Sequence, residues 1–236
     1  MLPVVVLAAL ACVVDSRPVG ADTFSFAGAG GNLGTSSAVF AGSGGGLMTV
    51  DGYYFSELAG WLPANLFQRN DDPADHGLGV CSPADPANES NCGGGDSNEL
   101  DNSGAAELIR LALPSGHEWV SVQLSSLDST EAGVLWADMD GIPNGGPGSI
   151  GDAIVVAFQS DNVNIEPVFL ISAAFTSTPF LFFEARDHQF GESFDNDFLV
   201  MGAVTQAVPE PASLTLLGLG LVGAGIARRR RRIARS

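Results

Sequence analysis

The sequence predicts an all-β protein: a single β-sandwich or jelly-roll-like domain, flanked by an N-terminal signal peptide and a short hydrophobic C-terminal helix. Three observations predict it. Apolar and aromatic residues come in short runs that alternate with polar ones at period two, the spacing that turns one face of a strand to a core. Turn residues break these runs every ten positions or so, and 30 Gly and 13 Pro in 236 residues supply them. Sustained helical periodicity is absent outside the two ends, and no internal repeat of the kind that builds propellers or β-helices is present. At 45% hydrophobic residues the chain has enough apolar surface for one packed core.

The elements follow in order. Residues 2–14 form an apolar run, followed by small and polar residues with Val19 and Ala21 at an A-x-A-like site. Residues 1–21 therefore read as a secretory signal peptide cut after Ala21, although no Lys or Arg precedes the apolar run. "TFSFAG" at 23–28 places Phe24 and Phe26 on one face. "SAVFAG" and "GLMTVDGYYF" follow across a Gly-Ser-Gly-Gly-Gly turn, which lacks the Lys and the helix of a phosphate-binding loop. "AELIRLAL" sets Ile109, Leu111 and Leu113 on one side, and "EWVSVQLSSL" sets Val120, Val122 and Leu124 against Ser121, Gln123 and Ser125. "AGVLWADMD", "AIVVAFQSD", "PVFLISAAF", "FLFFEARD" and "DFLVMGAV" complete the strands of a domain spanning 22–205. Residues 68–103 read as a long irregular loop. "AVTQAVPEPAS" reads as the linker to a terminal segment at 206–236.

Charge excludes one function class. The chain contains no lysine, and its formal net charge is -17. Between Asp22 and Ala207 three arginines (Arg69, Arg110, Arg186) stand against 25 acids, a net of -22. Such a surface repels phosphate backbones, so nucleic acid is not a partner. It suits an extracellular protein or one that collects divalent cations.

Removal of the signal peptide leaves two cysteines, Cys81 and Cys92. In an exported chain they read as a disulfide closing a polar, Pro-rich loop, a local staple worth roughly 2–3 kcal/mol. In "DMDGIPNGG", Asp138, Asp140 and Asn144 surround Gly141 in a pattern similar to calcium-binding loops, where alternating oxygen ligands and a glycine turn fit the ion. Calcium is the candidate cofactor there, against the plainer reading of a turn built from turn-forming residues. Further acids cluster at Asp96, Glu99 and Asp101, and at Asp195 and Asp197. His76, His117 and His188 lack metal-binding spacing, and no nucleophile elbow occurs. Trp119 and Trp136 sit within strand patterns and read as core, whereas Trp61 is the candidate exposed platform for a sugar ring.

The end of the chain has its own chemistry. Residues 212–227 are apolar except for Ser213 and Thr215, and contain four glycines. As an α-helix these sixteen residues span about 24 Å, short of a ~30 Å hydrocarbon core. Arg228, Arg229, Arg230, Arg231 and Arg232 follow and hold that end on the cytoplasmic side. Pro209, Glu210 and Pro211, the glycine-rich apolar stretch and the arginine cluster, in that order, resemble the PEP-CTERM sorting signal of Gram-negative bacteria. The same tail is also labelled an ice-binding protein C-terminal domain, but the body has no regular Thr-x-Thr repeat. The resemblance implies an exosortase, a membrane protease-transpeptidase, as partner alongside the secretion machinery, with Pro209, Glu210 and Pro211 as recognition residues. It also implies transient residence in the inner membrane and a destination at the cell surface or in an exopolysaccharide matrix. The expected function is thus a non-catalytic exported surface or biofilm-matrix protein, with calcium and glycan as candidate ligands. The alternative is a secreted polysaccharide hydrolase using a carboxylate pair.

Overall fold

The computed structural model describes residues 20–72, 75–83, 99–101, 105–129, 131–160, 165–185 and 197–208. These residues are all-β: fourteen strands and no helix. The signal peptide up to residue 19, the apolar C-terminal segment and all the sorting-signal residues from Pro209 onward lie outside them.

The strands form two antiparallel sheets of seven. The first runs β12 (Val168–Leu170), β9 (His117–Ser125), β14 (Leu199–Ala207), β7 (Asp75–Cys81), β6 (Asn65–Asp72), β2 (Gly31–Asn32), with β1 (Ala21–Ser25) also paired to β14. The second runs β11 (Ala153–Gln159), β10 (Ala132–Asp138), β13 (Phe180–Ala185), β8 (Glu107–Ala112), β4 (Leu47–Ser56), β3 (Ser37–Ala41), with β5 (Gly60–Pro63) against the far half of β4. One buried cluster draws on both: Phe24, Leu66, Val80, Trp119, Leu124 and Val200 from the first, Val50, Ile109, Leu111, Leu135 and Phe183 from the second. Period-two alternation builds it. In β1, Asp22 and Phe24 are buried while Thr23 and Ser25 are exposed. Trp119, 1% exposed, donates its indole N–H to the Thr178 carbonyl at 2.7 Å, so its polar atom is satisfied inside the core. A second, smaller cluster of Leu108, Val134, Trp136, Ile150 and Phe182 lies apart from the first.

Two expectations differ from the structure. The span read as irregular from 68 contains the end of β6 and all of β7, and β7 is an interior strand of the first sheet. Its sequence, "DHGLGVC", hides the alternation because glycine takes position 77, where a side chain has no room. A Cβ on Gly77 would lie 2.8 Å from the Val200 carbonyl oxygen, and the φ there is +156°. The expected linker also begins in a strand: residues up to Ala207 belong to β14 and pair with β9 to the end.

Candidate functional site

The first and last described strands are neighbours. Ala21 faces Gln206, Asp22 faces Thr205, Thr23 faces Val204 and Phe24 faces Ala203. On its other side β14 pairs with β9 down to Ala207 opposite His117. Val208 continues past the strand and donates its N–H to the Gly116 carbonyl at 2.8 Å. The chain therefore enters the body at β1 and leaves it at β14 side by side.

The surroundings of that exit are built from small residues. Asp22 is 2% exposed, and its carboxylate turns inward to accept the N–H of Gly44 at 2.6 Å and of Gly46 at 2.8 Å. The Gly-Ser-Gly-Gly-Gly turn is thus a cradle for the protein's own carboxylate. A Cβ on Gly42 or Gly46 would overlap Asp22, which is why the turn is glycine. Ser43 fastens the turn to β1: its hydroxyl accepts the Thr23 N–H, and its own N–H donates to the Thr23 carbonyl, each at 3.0 Å. The His117 ring lies 3.9 Å from Asp22 on the other side.

Asp138, Asp140 and Asn144 are brought into one turn, where they serve the turn's own backbone. Asp138 Oδ1 accepts the N–H of Asp140 at 3.0 Å and of Gly141 at 2.6 Å. Asp140 Oδ1 accepts from Ile142 N–H at 2.8 Å, and Asn144 joins through its backbone N–H to the Ile150 carbonyl. Burial holds the Asp138 carboxyl above its ordinary range, against the two amides that lower it. Arg110 closes the turn from the sheet. It bonds the Gly141 carbonyl, pairs with Asp51 Oδ2 at 2.8 Å, and lies over the Tyr53 and Phe180 rings at 5.8 and 5.2 Å. Burial also raises the Tyr53 hydroxyl, with Arg110 opposing and Asp51 adding to it. Among the described residues no group of three His, Cys, Asp or Glu is arranged to hold a metal ion.

The described parts of the two remaining acidic clusters meet. Leu100 and Phe198 form an antiparallel bridge that brings Asp101 opposite Asp197, while Asp96 and Asp195 lie outside the described residues. Glu99 pairs with Arg69 and accepts from Ser126 Oγ at 2.9 Å, while the Asp101 N–H donates to Glu107 at 3.3 Å. Glu131 hydrogen-bonds Asp197 and accepts the Asp128 N–H. Burial first, then the Asp197 hydrogen bond and charge, push the Glu131 carboxyl up to about 10, so that it holds a proton between the two. Glu131, Glu107 and Glu184 give no local signal in the sequence, because the groups they serve come from distant strands. Glu184, 1% exposed, accepts from the Trp136 indole N–H at 3.0 Å and the Gly148 N–H at 2.6 Å.

Trp119 and Trp136 are buried, as their strand positions predict. Trp61 is not an open platform: it is half-buried, packs against the smaller cluster and meets Phe55 edge-on at 5.3 Å. Cys81 is disulfide-bonded, and Cys92, its expected partner, lies outside the described residues.

Residues 207–232 match the family model of the PEP-CTERM protein-sorting motif, which bears out the resemblance carried by Pro209, Glu210, Pro211 and the arginine cluster. The match starts on Ala207, the last residue of β14. Such a motif implies export, with an exosortase acting on the tail in membrane-associated processing. No curated protein and no solved structure matches the chain.

Proposed function

We propose that this protein is a non-catalytic component of the cell surface or extracellular matrix, a β-sandwich body delivered by its sorting segment. One observation carries the reading: the sorting motif starts on the final residue of a strand held on both sides by the folded body. The sorting motif thus begins where the last described strand ends, and the domain before it is the cargo. A body of net charge -22 stays soluble and dispersed once released. The buried carboxylates support a structural role over a catalytic one. Asp22 holds the glycine turn, Asp51 and Glu99 hold Arg110 and Arg69, and Glu184 holds Trp136 and Gly148. A glycan of the surrounding matrix is the ligand class in this reading.

The test is the intact mass of the protein recovered from a Gram-negative host that makes an exosortase. The native chain is expected to lose its tail, and a Pro209→Ala, Glu210→Ala, Pro211→Ala variant is expected to keep it. The released body, incubated with the host's exopolysaccharide, is expected to bind without generating new reducing ends. Steady release of reducing ends would overturn the non-catalytic reading and favour the hydrolase.

A further inference from the structure

We infer that the end of the body where β1 enters and β14 leaves is its membrane-facing surface while the sorting segment is attached, lying flat on the bilayer. This rests on reading 207–232 as a membrane-directed segment.

The first argument is reach. From Ala207, fixed opposite His117, to Ala212, where the apolar stretch begins, there are five residue steps. Whatever their conformation, they span at most about 18 Å, since a residue extends no more than ~3.6 Å. The polar layer on one side of a bilayer takes roughly 5–8 Å of that. The end of β14 therefore stands no more than about 10–13 Å above the headgroups. Val208 uses part of the reach by bonding back to Gly116. The N-terminal side agrees: Ala21 faces Gln206, so a signal segment still attached would leave toward the same surface.

The second argument is chemistry. Anionic headgroups repel an acidic body over a Debye length of ~8 Å at physiological salt. Immediately around the exit, this end carries little to repel. The glycine turn at 42–46 holds β1, the turn at 113–116 receives Val208, and Thr176 and Thr178 in the segment 171–179 receive the backbone and indole N–H of Trp119. None of these three segments contains a charged residue. Asp22, the acid nearest the exit, is folded inward onto Gly44 and Gly46. His117 and Glu118 are the titratable residues left beside it. Asp138 faces Phe180, so the β10–β11 turn lies at the same end of the other sheet, and its exposed Asp140 and Asp152 are engaged there by the Ile142 and Met139 N–H groups.

The experiment uses the full chain with a fluorescent amino acid at one exposed position, Ser115 or Ser177 at this end, or Leu58 in the β4–β5 turn at the other. Each protein is reconstituted into phosphatidylglycerol–phosphatidylethanolamine vesicles whose headgroups carry a nitroxide quencher, then floated on a density gradient. Quenching is expected to be several-fold stronger at Ser115 and Ser177 than at Leu58. Equal quenching at all three sites, or stronger quenching at Leu58, in protein that floats would overturn the orientation while leaving the sorting segment intact. Protein that fails to float would overturn the membrane-directed reading, and the orientation with it.

Discussion

Asp22 and Glu131 show how the same side chain type does opposite electrostatic work. Asp22 is buried as an acceptor of two backbone amides, Gly44 exposed and Gly46 half-buried, and replacing it removes both bonds. The Asp22→Ala variant should lose about 1–3 kcal/mol of stability, read as a lower denaturant midpoint with unchanged slope, because the bond to the half-buried Gly46 amide is lost while the exposed Gly44 amide turns to water. Glu131 is buried as a proton holder. In the unfolded chain it titrates near 4.5, and in the folded chain near 10. The unfolded state therefore releases its proton first. Stability from this group is fully present below about pH 4.5 and is lost as pH rises toward 10. The unfolding free energy from urea titrations should fall from pH 5 to pH 9, by up to ~1.4 kcal/mol per pH unit, and Glu131→Gln should flatten that slope. An unchanged slope in the variant would contradict the shared proton. The turn around Asp138 was legible in the sequence, because an Asp and the amides it accepts are neighbours in the chain. Asp22 and Glu131 were not, because their roles come from Gly44, Gly46 and Asp197, residues brought near only by folding.

Among the elements, strands with one buried and one open face wrote their pattern plainly. β1 did so, with Phe24 buried between exposed Thr23 and Ser25; β9 did so less, because at its bulge the order slips, so that Trp119, Ser121, Val122, Leu124 and Ser125 are buried and Val120, expected alongside Val122 and Leu124, is not. β7 did not, because its packing against β14 requires glycine at 77 in place of an alternating side chain. That requirement gives a prediction at this scale. Gly77→Ala drives a Cβ onto the Val200 carbonyl and forces an L-residue into a glycine backbone. It should cost about 1–3 kcal/mol by chemical denaturation, with faster amide exchange at Leu78 and Val80. Thr205 to Ala207 were hidden for another reason. Their neighbours Pro209 and Pro211 look like a linker, yet pairing on both edges outweighs the weak strand preference of Ala and Gln.

At the scale of the whole molecule, the sequence announces two processing ends but not where they emerge. That depends on sheet order, in which β14 sits between β9 and the β1–β7 edge although these strands are far apart along the chain. The resulting geometry places both ends on one surface and makes the β1–β14 pair the mount of the body. Its most direct test is a cross-strand disulfide. Thr23 and Val204 face each other on the outer side of that pair. The backbone N–H and carbonyl of Thr23 bond Ser43, away from β14, which makes this a close, non-hydrogen-bonded pair suited to a disulfide. In the folded Thr23→Cys, Val204→Cys protein the account predicts spontaneous oxidation, seen as a mass loss of about 2 Da in the peptide linking both ends, with about 2–4 kcal/mol of added stability. Cysteines that stay reduced in the native protein and join only under denaturant would contradict it.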